Sequence, residues 1–229
     1  MIALVLAASG LLLLLSLWIE SWVLLLLSLL IASFPLAEIL LGLAILSLQE
    51  VRWFPSDHEL VRMLRGLSPP RWRLKLGVKP GPPDAFAVQT GLRSGAVVLT
   101  AGMLDLLSEG ELEAVLAHEI CHLVEHHSMV RIVALVLSLM NIPIGTAAGA
   151  ALSRRLEYRA DEFSVVVTGK PIQLASALVK VAMARAGNSF LVSKFSPSLR
   201  RILGLFSWSP SLESRLRRIE RISYRLLST

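Results

Sequence analysis

His118 and His122 stand four residues apart with Glu119 beside the first, in the run His118-Glu119-Ile120-Cys121-His122. An α-helix turns once every ~3.6 residues, so side chains at i and i+4 lie one above the other on one face. Two imidazoles so placed can grip one metal ion. Glu119, one step round the helix, points toward the same ion without having to bind it, and can take a proton from a water activated there. That is the chemistry of zinc-assisted hydrolysis. The five histidines of the chain are His58, His118, His122, His126 and His127, so a merely polar helix face is the competing reading.

The helical context favours the metal. Ser108-Glu109-Gly110-Glu111 reads as a capping box that starts the helix. Beyond it Leu112, Val115, Leu116, Ile120 and Leu123 recur at helical spacing and predict a core-facing stripe. A hydrolytic zinc site takes a third protein ligand and leaves one position open. Position 125 is Glu and position 128 is Ser, so no histidine follows at the six-residue interval that one large class of such sites uses. The run Leu156-Glu157-Tyr158-Arg159-Ala160-Asp161 offers two carboxylates on one helical face. One of them can ligate while the other accepts the spare N–H of a ligand imidazole. A solvated charge patch with Arg154, Arg155 and Arg159 is the alternative.

From Asp84 to Leu123 the text DAFAVQTGLRSGAVVLTAGMLDLLSEGELEAVLAHEICHL resembles the HtpX-like membrane-bound zinc metalloproteases, relatives of the CAAX prenyl endopeptidases. The likeness continues in Ser153 to Asp161, similar to the family's S-R-x-x-E-Y-x-A-D, in Gln173 to Lys180, and in Ser209 to Arg215, similar to its closing H-P-x-x-x-x-R. The resemblance implies that His118, His122 and Glu157 bind one Zn2+, that Glu119 is the general base, and that Asp161 buttresses a ligand. Three positions depart from the pattern. Asp84 replaces an Asn before the Ala-Phe-Ala strand, Cys121 replaces a small Gly or Ser, and Ser209 stands where the family has His. Cys121 reads as a small core residue, with adventitious ligation or oxidation as the alternative.

These residues are expected beside a membrane. Residues 1–48 carry only two charged side chains, Glu20 and Glu38, and about 20 apolar residues span a bilayer core. Met1 to Trp18 and Trp22 to Leu46 therefore predict two spans joined by a tight turn at Trp18-Ile19-Glu20-Ser21-Trp22. A cleaved signal peptide fits less well, because no positive charge precedes the apolar run and a second run follows. Glu38 is expensive in lipid and is expected to face a partner helix or the protein body through a buried hydrogen bond. Arg52, Arg62, Arg65, Arg71, Arg73, Lys75 and Lys79 follow the second span, which puts the catalytic domain on the cytoplasmic side. A lone cysteine, unable to form an internal disulfide, agrees with that compartment.

Residues 129–152 form a third apolar stretch. Since His118 and His122 precede it and Glu157 follows it, it must return to its own side. Asn141-Ile142-Pro143-Ile144-Gly145 marks the turn, and arms of about 11 residues reach only about 16 Å. A helical hairpin, packed or membrane-dipping, is expected. Between the spans and the motif helix, Asp57 to Gly66 predicts a short helix ended by Ser68-Pro69-Pro70. Arg71 to Leu76, Ala85 to Thr90 and Ala96 to Thr100 predict a small antiparallel sheet. Its edge at Ala85, Phe86 and Ala87 is a candidate to pair with an extended substrate. Gly187 to Ser209 reads as a loop near the cleft that touches lipid. Leu212 to Leu227 predicts a basic amphipathic helix suited to anionic lipid, from which Arg215 could reach the site and steady an oxyanion.

The expected fold is α+β, mainly α: a transmembrane hairpin over 1–48 and a zincin-like metalloprotease domain over 49–229. The expected function is a membrane-anchored zinc endopeptidase. By resemblance its substrates are misfolded or damaged membrane proteins, with polypeptides and the lipid bilayer as partners. The net charge of +6 has a membrane explanation and no nucleic-acid motif accompanies it. Two other readings are a zinc-stabilised scaffold that does not cleave and a prenyl-peptide protease. Glu119 argues against the first, and the short interval from His122 to Glu157 with only two full spans leaves the second little room.

Overall fold

The computed structural model describes residues 2–19, 22–130, 132, 143–192 and 210–227. Two apolar helices, α1 (Ile2–Ile19) and α2 (Trp22–Ser47), pack side by side. Their arrangement inverts that of a water-soluble pair. Leu11, Leu14, Leu17, Leu26, Leu29 and Leu40 are exposed, while Ser9, Ser16, Ser28 and Glu38 are buried. Small polar residues inside and leucines outside suit a hydrocarbon solvent. At 26 residues α2 is long and apolar enough to cross a bilayer; α1, at 18, would reach about 27 Å at ~1.5 Å per residue. Glu20 and Ser21 of the expected turn lie outside the described residues.

After the hairpin come β1 (Arg52–Trp53), α3 (Glu59–Leu67), β2 (Arg73–Lys79), β3 (Ala85–Gly91) and β4 (Ser94–Thr100). The sheet order is β1-β2-β4-β3. β3 and β4 form an antiparallel hairpin, but β2 pairs with β4 in parallel, Arg73 opposite Ser94 through Lys79 opposite Thr100. The expectation of an all-antiparallel sheet is thus corrected: the sheet is mixed. The reason lies in Pro80-Gly81-Pro82-Pro83, which cannot make a tight hairpin and instead carries the chain past β4 to its far side, with the Gly81 carbonyl accepting from Gly102 N–H and Asp84 N–H donating to Thr100 Oγ1. β4 is one of the two inner strands and is buried from Gly95 to Thr100. β1, too short to leave a sequence signal, adds an antiparallel edge on β2.

Helix α4 (Ala101–Leu106) leads into α5 (Glu109–Val124), which carries the motif histidines. The expected capping box forms, with Ser108 N–H donating to Glu111 Oε2 at 2.8 Å. The predicted stripe Leu112, Val115, Leu116, Ile120 and Leu123 is buried against Val61 and Leu64 of α3 and Leu76, Val97 and Leu99 of the sheet. Glu111 then binds outward. Its Oε1 accepts from Ser176 at 2.5 Å and its Oε2 from Lys180 at 2.8 Å, tying α5 to α7 (Pro171–Val192). Helix α6 (Pro143–Thr168) is fastened to α5 by Ser164, whose hydroxyl donates to the Ala114 carbonyl at 2.7 Å. Helix α8 (Leu212–Leu227) closes the assembly over α6 and α7.

The expected hairpin over 129–152 falls in part on residues outside the described ones, the turn at Asn141 and Ile142 included; its return arm from Pro143 is continuous with the helix that carries Glu157. Ser209, Phe195 and Trp208 also lie outside them, while Gly187 to Val192 extends α7 where a loop was expected. Two features join the hairpin to the rest. Gly42 of α2 lies so close to β3 that a Cβ would overlap the carbonyl oxygen of Gln89. Glu38, buried as expected, accepts a hydrogen bond from Ser128 Oγ, just past α5.

Candidate metal centre

Helix α5 presents His118 and His122 on one face, and α6, packed beside it, presents Glu157. The His118 and His122 Nε2 atoms are 3.2 Å apart. Glu157 Oε2 is 3.5 Å from His118 Nε2, and Oε1 is 3.7 Å from His122 Nε2. Tetrahedral bonds of ~2.0–2.1 Å separate ligand atoms by about 3.3 Å, so these three donors fit one zinc ion. The two imidazoles meet nearly edge to face, at 79°.

The charges around that point call for a cation. Burial alone would lower the pKa of His118, but its contacts with Asp161 and Glu157 raise it to about 9. Burial would likewise raise Glu157, yet His118, His122 and Arg215 hold its carboxyl far below the usual range. Either a proton on His118 or a metal ion satisfies the site. Behind the first imidazole, Asp161 Oδ1 stands 3.1 Å from His118 Nδ1. Asp161 is fully buried and held from two sides by Arg215, whose Nε donates to Oδ2 at 2.8 Å and Nη2 to Oδ1 at 2.5 Å. Arg215 Nη1 is 3.5 Å from Glu157 Oε2. Arg215 therefore clamps the two carboxylates, a different use from the free oxyanion donor that sequence reading allowed.

Glu119, His118, His122, Glu157 and Arg215 line one cleft of about 280 Å³, together with Ala85, Phe86 and Ala87. β3, which carries Ala85, Phe86 and Ala87, is an edge strand of the sheet. Met103, Val115, Leu174, Leu178 and Val181 add apolar lining to the same cleft. All the predicted site residues thus converge, with Asp161 directly behind His118. Cys121 is fully buried, and desolvation pushes its thiol far up, so it packs as a small core residue.

Two neighbours went unseen in the sequence. Asp84 pairs with Arg185 of α7 at 2.6 Å beside the cleft; no local spacing links residues so far apart. His127 places Nδ1 2.7 Å from His122 Nδ1. A histidine five residues after a ligand is a signal that the His-rich run blurred.

Residues 58–223 match peptidase family M48. The chain belongs to peptidase family M48. It is 30% identical over 216 residues to a protease HtpX homolog of Pyrococcus furiosus, covering 74% of each chain. It is 31% identical over 219 residues to that of Moorella thermoacetica, covering 73% of this chain and 72% of the relative. Of the Dictyoglomus thermophilum homolog it spans 61%. Among solved structures it resembles Ste24p of S. mikatae with a TM-score of 0.60 and 17% identity, over 85% of this chain and 56% of that one. The M48 family is one of metallopeptidases, and the HtpX homologs are proteases.

Proposed function

We propose that this M48 chain is a membrane-anchored zinc endopeptidase. The observation that carries the reading is the convergence of His118 Nε2, His122 Nε2 and Glu157 on one point of a cleft that Glu119 also lines. When bound by His118, His122 and Glu157, zinc would supply Lewis acidity, polarising a substrate carbonyl and acidifying water. Glu119 takes the proton of the attacking water onto its carboxylate and delivers it to the leaving amine nitrogen. Asp161 receives the N–H at Nδ1 of His118 and keeps Nε2 free to ligate. Arg215 holds Asp161 and Glu157 in place. The outer strand β3, at Ala85, Phe86 and Ala87, offers backbone groups to an extended polypeptide and so sets one peptide bond beside Glu119.

The apolar hairpin and the basic segment after it support a multi-pass protein with its catalytic domain on the cytoplasmic side. Substrates in this reading are misfolded or damaged membrane proteins. The test is cleavage of casein and of a membrane-protein substrate by the wild type and by Glu119→Gln at equal zinc content. Glu119→Gln is expected to bind zinc normally and to cleave at least about 10²-fold more slowly. Equal cleavage by both would remove Glu119 from the mechanism, and no cleavage by a zinc-loaded wild type would leave a metal-stabilised scaffold.

A further inference from the structure

The four residues after α5 are held from two opposite directions. Helix α5 ends at Val124 with Glu125 as its cap, and His126 follows at φ 53, a left-handed conformation that a non-glycine residue rarely takes without external support. The membrane side supplies one support. Glu38, an acid in the middle of apolar α2 with a side chain only 1% exposed, accepts from Ser128 Oγ through Oε1 and faces His126 Nδ1 through Oε2 at 3.3 Å. Neither Glu38 Oε2 nor His126 Nδ1 makes a hydrogen bond among the described residues, so the two meet only as a close contact. A carboxylate in that helix is costly unless matched, and this turn is what matches it.

The other direction leads to the metal centre. His127, 2% exposed, places Nδ1 2.7 Å from His122 Nδ1 and Nε2 3.3 Å from Glu125 Oε2. Glu125 Oε1 in turn accepts from Arg159 Nε at 2.9 Å, on α6 two residues past Glu157. The proton positions follow from the donor count. If His122 ligates through Nε2, its own proton sits on Nδ1 and donates to His127 Nδ1. His127 then carries its proton on Nε2, where Glu125 accepts it. Each nitrogen has one role, and the sequence of bonds ends on the charge of Arg159.

We propose that the segment 125–128, a turn at Glu125 and His126 that runs into helix from His127, is an outer support of the metal centre, in which His127 fixes the ligating tautomer and ring plane of His122, and Glu38 of α2 fixes the segment that carries His127. The inference rests on the reading of His122 as a zinc ligand. Both residues act through His122 and are positioning residues. It gives the transmembrane hairpin a part in the metal site that an anchor alone would lack. Cys121, Glu125 and His127 also have ligand atoms within 4.8 Å of one another, but the ring nitrogens of His127 and Oε1 of Glu125 are already spent in this relay.

The test uses the full chain in detergent or in nanodiscs and reads zinc affinity by chelator competition, zinc stoichiometry, and the visible spectrum of the cobalt(II)-substituted protein. Wild type is expected to bind one zinc. His127→Phe, which keeps a ring and loses the acceptor, is expected to weaken zinc binding about 10- to 100-fold and to alter the cobalt spectrum. His127→Asn, which restores an acceptor, is expected to recover most of both. Glu38→Leu is expected to weaken zinc several-fold and to shift the cobalt spectrum, with Glu38→Gln, still bonded to Ser128, in between. If His127→Phe fails to fold, Glu125→Leu, which leaves His127 in place and removes its far acceptor together with the Arg159 contact, is read in its place and is expected to weaken zinc in the same direction. Wild-type affinity and spectrum in His127→Phe or in Glu38→Leu, or failure of His127→Asn to recover binding, overturns the proposal. Two zinc ions per wild-type chain overturn it in favour of a second site. A wild type that binds no zinc overturns the metal reading itself, and this support with it.

Discussion

Replacing Arg215 by Met separates a buried clamp from an ordinary surface ion pair. Asp161 is 0% exposed and Arg215 meets it with two parallel donors at 2.8 and 2.5 Å, the fork geometry in which a guanidinium binds a carboxylate most strongly. An exposed pair would be worth at most about 1 kcal/mol. Removing one partner of a buried pair strands the other charge and costs about 3–5 kcal/mol. For a domain of this size each kcal/mol moves Tm by roughly 2–4 °C, so Arg215→Met is expected to lower it by about 6–20 °C. Tyr158 would still donate to Ser214 at 2.9 Å and Arg218 would still lie over the Tyr158 ring, so α8 keeps its docking and the loss reports the charge. The assay is thermal unfolding of the metal-free chain in detergent for Arg215→Met, Asp161→Leu and the double variant. The double variant, in which the Asp161 charge is removed together with its guanidinium partner, is expected to be more stable than Arg215→Met alone. A drop under about 3 °C, or a double variant that merely adds the two losses, would refute the clamp.

Glu111 makes an acid-stability prediction. Burial pushes its carboxyl upward, but the bonds from Lys180, Ser176 and Ser108 more than reverse this and hold it at about 2, against an ordinary 4.5. A depressed folded pKa contributes stability above the ordinary value and loses it as pH falls, so the urea midpoint is expected to decline between pH 4.5 and about 2, with a shallower slope in Glu111→Gln. Two glycines are expected to respond in opposite senses. Gly42→Ala drives a methyl into the Gln89 carbonyl and should loosen α2 from β3, seen as faster proteolysis near residue 50. Gly66→Ala meets nothing within 4 Å and should raise stability by about 0.5–1 kcal/mol through helix propensity. Chelation is expected to abolish cleavage reversibly, and zinc at 100 times its Kd should restore about 2.7 kcal/mol, a rise of roughly 5–11 °C in Tm; no shift would argue against a metal held by the folded state.

Those expectations draw on two kinds of information that the chain carries unequally. The helix that carries His118 and His122 was readable from a few adjacent letters. Four-residue spacing placed His118 over His122, Ser108 and Glu111 marked the start, and the apolar stripe showed which face would be buried. Glu157 and Asp161 were readable as a pair by the same spacing. The direction of β2 was not, because alternation in a strand has the same period whether its neighbour runs parallel or antiparallel. The loop Pro80-Gly81-Pro82-Pro83 made the choice by carrying the chain past β4. Glu38 was readable as a misfit in an apolar helix, but not its partner Ser128, 90 residues away. The bond from His127 to His122 was hidden by its very proximity in sequence, since the turn at His126 sets that angle.

Sequence alone thus determined which residues could do chemistry and the helix faces that present them, because periodicity and capping are local and act within a turn or two. Tertiary packing alone decided the rest: that Glu157 meets the two imidazoles across α5 and α6, that Arg215 turns its nitrogens to Asp161 and Glu157, and that Glu38 of the apolar hairpin accepts from Ser128 beside the site. These contacts join residues that no local period relates. They exist only because burying the apolar faces of the helices brings distant backbones together and leaves each buried charge to find an opposite partner.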